Sequence, residues 1–296
     1  DTFAELQMLR ALAAQRQPSV FYMPSVGMYL STIFAASLRL ARVQLTALGH
    51  AASTHSPWVD YFAVDEDFIG DPSTFTEKLI SLPVDAMPFV HSSELANARL
   101  DTQQRHRHAR VRIAVTASTM KLNPPFLEAC ARIKKQAAMP LEFCFFVGQA
   151  RELMLPVIRR MVVDILGPDV FIHPHLPYSE YLEQVSQCDM FITPFPYGNM
   201  NGIADAVVCG MPGICKRGAH VHECIDVGMF QRLGLPEWTI AGTVDEYVAA
   251  AVRMADNGAE RRALGEALKN SNALDNLYRG RPQILGERLR AILDAL

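Results

Sequence analysis

The chain has 296 residues, half of them apolar, and a formal net charge of −3 at neutral pH. That length supports one large domain or two of ordinary size, and the near-neutral balance argues against a nucleic-acid binder held by phosphate neutralisation. No apolar run approaches the roughly 20 residues that span a bilayer.

The opening segment, DTFAELQMLRALAAQ, reads as an amphipathic helix over 2–15. It is not a signal peptide, because the basic start, apolar centre and small-residue cleavage site are missing. It also lacks an initiator Met, as a piece of a longer chain would. A strand SVFYMP, a Gly-led helix over 27–41 and a strand VQLTAL follow, then a loop GHAASTHSPW that carries His50 and His55. Next come a short strand YFAV, a helix or turn near 72–80 and an apolar MPFV. The stretch 97–110, NARLDTQQRHRHAR, has four arginines, two histidines and no apolar periodicity. It reads as a solvated linker between two lobes rather than as a phosphate site.

Beyond it the alternation is cleaner. Strand VRIAVTA leads to a helix over 125–135, LEFCFFVG to 151–166, VFIHP to 179–186, MFITPF to 202–209 and GICK to 222–233. A short strand at 238–241 and helices to the end complete the chain. Nearly uncharged strands that alternate with helices imply a parallel sheet buried on both faces. The fold class is therefore α/β with two Rossmann-like lobes: 1–104, 105–280, and a closing helix within 281–296. Ligands in such sheets bind beyond the carboxyl ends of the strands, and a cleft between two lobes is the natural place for them.

The second-lobe strand ends carry Ser118, Thr119 and Lys121, then Gly148 and Gln149, then His173, His175 and Tyr178, then the segment 193–215, and then Lys216 and Arg217. Asn201 and Gly202 open the helix in that segment. Asn is a favoured N-cap, and the free N–H groups behind it attract an anion that glycine allows close. Asp205 follows one turn on, near Asn201 on the same face. A carboxylate beside an anion is repulsive, so Asp205 suits hydroxyls such as a ribose diol, and the set suits a nucleotide. Neither a P-loop nor a dinucleotide fingerprint is present. The six cysteines form no CxxC and read as reduced, buried thiols. Asp65, Glu66 and Asp67 imitate an acidic metal-holding motif at the end of a short strand, where a solvated turn accounts for them equally well. No metal is assigned.

The segments ASTMKLNP, HPHLPY, PFPYGNMNGIADAV and HECIDVGMFQRLGLPEW, with LGHAASTHS upstream, together resemble the bacterial cytoplasmic N-glucosyltransferases that modify adhesins. These are relatives of the O-linked N-acetylglucosamine transferases. The resemblance covers essentially the whole chain. It implies a glycosyltransferase-B fold whose first lobe is incomplete here, a cytoplasmic location, no cofactor, and inverting, metal-independent transfer. The donor would be UDP-glucose or UDP-galactose and the acceptor an asparagine in an Asn-X-Ser/Thr sequon of a polypeptide such as an adhesin. It places Lys121 on the diphosphate with Ser118 and Thr119 in support, Ser118 standing where the family pattern has threonine. His175, Leu176 and Pro177 would face the uracil, Asn201 and Gly202 the phosphates, and Asp205 the ribose. His55 is the candidate for acid/base or orienting work, with His50 and Gln149 in the vicinity of the sugar and acceptor. Alternatives are an O-linked transferase of the same fold, a nucleotide-binding module without activity, and a nucleotide-sugar epimerase.

Overall fold

The computed structural model describes residues 2–86, 92–94, 100, 105, 109–148, 150, 152–271, 276–277 and 280–296. The chain divides into two compact units: Asp1–Pro88 with Ala219–His222 and Arg279–Leu296, and Phe89–Gly218 with Glu223–Tyr278. Each holds one parallel sheet.

The first unit begins with helix α1 (Thr2–Arg16) and contains β1 (Val20–Met23), α2 (Leu30–Ala35), β2 (Val43–Ala47), β3 (Tyr61–Asp65) and β4 (Lys78–Leu82). The strands lie in the order β1-β2-β3-β4. Leu6, Leu9 and Ala13 of α1 recur at helical spacing and pack against Met23, Ala35 and Leu40. Helix α10 (Gln283–Asp294) covers the sheet through Ile284, Leu285, Leu289 and Ile292 against Leu45, Ile80 and Leu82.

Two sequence expectations change here. The helix expected over 27–41 is only Leu30–Ala35. The helix or turn expected near 72–80 is a single 3₁₀ turn, Pro72–Thr74, capped by Asp71, followed by strand β4 paired with β3. Phe75 and Thr76 favour extended backbone, and KLISL alternates at its end, with Ile80 and Leu82 buried on either side of exposed Ser81. The apolar MPFV segment lies outside the described residues.

In the second unit β5 (Val111–Thr116), α3 (Pro124–Gln136), β6 (Leu141–Phe146), α4 (Met154–Leu166), β7 (Val170–His173), α5 (Tyr178–Ser186), β8 (Met190–Ile192), α6 (Met200–Val208), β9 (Gly213–Lys216), α7 (Val221–Arg232), β10 (Ile240–Ala241), α8 (Val244–Asp256) and α9 (Gly258–Asn270) follow in order. The sheet runs β10-β9-β8-β5-β6-β7, all parallel. Counted from β5 this is the doubly wound order 3-2-1-4-5-6, whose direction reverses between β5 and β8. Ile113, Val115, Phe143, Phe145, Met190 and Ile192 form one core face with Phe126 of α3 and Tyr247 of α8. Strand residues buried on both faces explain the near absence of charge in their sequences.

Most of the expected linker 97–110 lies outside the described residues. Arg105, which is described, is not solvated: it is 4% exposed, with Nε donating to the Ser186 carbonyl at 2.5 Å and Nη1 to the Gly210 carbonyl at 3.3 Å. Those carbonyls close α5 and follow α6, where helix ends attract a cation. Among the described residues, no helix is long and apolar enough to cross a membrane.

Candidate functional site

The reversal between β5 and β8 brings two loops together at the carboxyl edge of the second sheet. After β5 the chain makes a 3₁₀ turn over Thr119–Lys121, preceded by Ser118, whose carbonyl accepts from the Lys121 N–H at 3.0 Å. Asn123 then caps α3 by accepting from the Phe126 N–H, while its Nδ2 donates to the Phe195 carbonyl at 2.7 Å. That amide ties the β5 loop to the β8 loop. Lys121 completes the tie: its Nζ donates to the Gly198 carbonyl at 2.5 Å and lies 5.4 Å from the centre of the Tyr197 ring. Burial lowers its pKa and the carboxylate of Asp226 raises it.

The β8 loop leads into α6. The cap residue is Asn199, not Asn201 as the sequence suggested. Asn199 is 7% exposed. Its side chain does not bond the helix amides; instead Nδ2 donates to Thr116 Oγ1 at 2.6 Å, and its N–H reaches the Asp226 oxygens at 2.8 and 3.1 Å. The first amides of α6 therefore have no side-chain cap, which leaves the positive helix end open to an anion. Asn201 sits exposed in the first turn, where a ligand can reach its amide.

Gly202 is buried, and the reason is packing: a Cβ there would lie 2.1 Å from Asn199 Nδ2 and 2.3 Å from Thr116 Oγ1. Gly198 is constrained in the same way, since a Cβ would lie 2.4 Å from Asp226 Oδ1. Sequence reading gave Gly202 the task of admitting an anion; its missing Cβ also makes room for the Asn199–Thr116 bond.

Asp205 lies one turn into α6 and accepts from Tyr178 Oη at 2.7 Å and Tyr181 Oη at 3.0 Å. Burial raises its pKa, and the two phenol hydroxyls pull it back. The carboxylate thus already serves hydroxyls, those of the protein. Each of its oxygens has a further lone pair for another donor. His175, exposed beyond β7, has Nδ1 2.6 Å from the Gly148 carbonyl; Leu176 is half-buried and exposed Pro177 is the cap residue that precedes α5. Gln149 lies outside the described residues.

In the first unit, His50 and His55 part company. The His50 ring lies against Gly27, just beyond the carboxyl end of β1. His55 lines a cavity of about 550 Å³ with Val43, Tyr61 and Lys78, the first residues of β2, β3 and β4. The two histidines therefore belong to opposite ends of that sheet. His55 also holds φ at 51°, a left-handed conformation that side chains seldom adopt without a local reason.

Sequence reasoning missed Thr116, Asn123, Tyr181 and Asp226, and it accounts for Asn199 only as a polar turn residue. Asn199 was visible as a polar residue before a helix. Asp226 carried no signal: it is one carboxylate within a helix, and only the fold puts it beneath the β8 loop.

No family model matches the chain. Over 293 residues it is 45% identical to the UDP-glucose:protein N-beta-glucosyltransferase of Actinobacillus pleuropneumoniae serotype 7, and equally to that of serotype 5b. The alignments cover 98% of this chain and 47% of each relative, so the chain spans about half the length of the curated relatives it matches. The resemblance carried by the motifs thus extends over nearly the whole chain. Among solved structures, a variant of the Thermobaculum terrenum O-GlcNAc transferase superposes with a TM-score of 0.74 at 18% identity, covering 97% of this chain and 54% of that one. Anabaena HepE, solved with UDP and glucose, superposes with a TM-score of 0.56 at 10% identity, covering 98% and 82%. These likenesses show the fold class, α/β of the glycosyltransferase-B type.

Proposed function

We propose that the chain is part of an inverting, metal-independent protein N-glucosyltransferase, with its second unit as the UDP-sugar site. The observation that carries this reading is the convergence of Lys121 and the uncapped amino end of α6 at the β5–β8 reversal. The 45% identity to enzymes named for UDP-glucose and protein supports it. Lys121 and the α6 amides would receive the diphosphate with Ser118, Thr119 and Asn201 beside them. Asp205 would receive ribose hydroxyls, and His175, Leu176 and Pro177 would flank the uracil.

UDP-glucose carries its sugar in the α configuration, and the relatives are named for a β product. Inversion follows if the acceptor attacks the anomeric carbon from the face opposite UDP. The acceptor is an asparagine side-chain nitrogen in an Asn-X-Ser/Thr sequon, as in an adhesin. Negative charge grows on the departing diphosphate in the transition state, where a cation and a helix end already in place lower the barrier without reorganisation. His55 is the candidate acid/base group on the strength of the resemblance alone; the same resemblance puts Gln149 near the sugar and acceptor, whereas His50 stands at the other end of the first sheet from His55.

The test is incubation of the protein with UDP-glucose or UDP-galactose, with and without a sequon peptide and EDTA, read by mass spectrometry. The expected result is a hexose added to asparagine in the presence of EDTA. Lys121→Ala should abolish transfer and weaken UDP binding; near-normal turnover in that variant would remove Lys121 from the scheme. Hexose on serine or threonine would favour an O-linked transferase, and conversion of UDP-sugar without peptide an epimerase.

A further inference from the structure

We propose that Asp226 is a positioning residue of this site: its carboxylate fixes the Gly198–Asn199 backbone on which Lys121 rests, and its charge holds the Lys121 ammonium there. The inference rests on Lys121 being the cation that faces the diphosphate.

Asp226 is 2% exposed, so it lies beneath the loop and out of a ligand's reach. Its oxygens both accept from the Asn199 N–H, at 2.8 and 3.1 Å. They also occupy the space where a side chain on Gly198 would begin. The carbonyl of the same Gly198 accepts from Lys121 Nζ at 2.5 Å. Carboxylate and ammonium are thus anchored to the two ends of one peptide group of the loop, the Asn199 N–H and the Gly198 carbonyl. That loop leads directly into α6 through Asn199, whose amide is bonded to Thr116 at the end of β5.

The titratable groups that sense Asp226 are Lys121 after β5, Cys215 on β9 and Tyr247 on α8. Burial keeps the thiol and the phenol neutral, since both are pushed well above their ordinary pKa values. Lys121 is the cation of the set. A residue kept only to anchor the loop has no need of charge. The neutral isostere Asn presents the same acceptor to the Asn199 N–H and avoids desolvating a carboxylate. Of these groups Lys121 is the one whose charged form the carboxylate favours, against a burial that favours the neutral amine.

Asp226→Asn separates the two roles. Competitive acetylation of the whole protein across pH 7 to 11, followed by mass spectrometry, reads the protonation of Lys121 against exposed Lys135 as an internal reference. The variant is expected to fold and to show the Lys121 midpoint lowered by about one pH unit, the size of a nearby opposite charge. The alkaline limb of its transfer rate should move down with it, while the KM for the sequon peptide stays within a factor of two. An unchanged Lys121 midpoint overturns the proposal, and so does a variant that cannot fold, because charge would then be serving the fold. If the wild-type protein fails to bind UDP-glucose, the donor-site reading falls, but the labelling midpoints still decide whether Asp226 holds Lys121.

Discussion

Replacing Asp226 by Asn should make the second unit more stable at neutral pH, although the residue lies at the heart of the candidate site. Burial raises the Asp226 carboxyl from 3.8 to about 6, with the Asn199 N–H and the Lys121 charge only partly opposing it. Between these two values the native state holds a proton that the unfolded chain has released, so stability falls as pH rises from about 4 to about 6 and then levels off. A shift of roughly two units at about 1.4 kcal/mol each places the loss near 3 kcal/mol. Asn cannot ionise and escapes it. The assay is urea unfolding at pH 4 to 7.5 in a Trp58→Phe background, where Trp238 reports on the second unit alone. The wild-type curve should decline relative to the variant across that range, and the variant should be the more stable by up to about 3 kcal/mol at pH 7.5. Parallel curves, or a less stable variant at pH 7.5, would refute the reasoning. Greater stability combined with an altered Lys121 would mark a place where function has been kept at the expense of stability.

Other perturbations test neighbouring parts of the structure. Gly202→Ala places a Cβ 2.1 Å from Asn199 Nδ2 and should destabilise the second unit by about 1–3 kcal/mol through overpacking, measured by the same Trp238 signal. Tyr181→Phe removes one of two phenol donors to Asp205; the Asp205 carboxyl should titrate higher, visible by ¹³C NMR, with a stability loss of about 1–3 kcal/mol. His55→Gly relieves the left-handed backbone and should stabilise the first unit by up to about 1 kcal/mol. If the same variant loses transfer, His55 is retained for its imidazole. Unchanged activity would remove it from the scheme.

The alternation of uncharged strands with helices made the doubly wound sheet legible in the sequence, because both faces of a parallel sheet are covered and every strand residue must suit a core. Position at a strand's carboxyl end made Lys121 and the 193–215 segment legible as well. The short helix at Leu30–Ala35 and strand β4 were less legible, since brief segments carry too few periods to distinguish helix from strand. At the site, the chain order placed an Asn before a helix but could not say which Asn caps it. That choice depends on Thr116, which lies 83 residues from Asn199 in sequence and 2.6 Å away in space. Gly202 and Gly198 are likewise glycine because of side chains from other elements. Asp205 looked free for a ligand until α5 supplied its two tyrosines. The sequence by itself determined the alternation of strands and helices in the second unit and the strand edge at which its polar residues gather, since periodicity and strand direction are local properties. Only the tertiary structure decided which polar groups meet there, because hydrogen bonds and buried charges are settled by partners that the chain brings together from far apart.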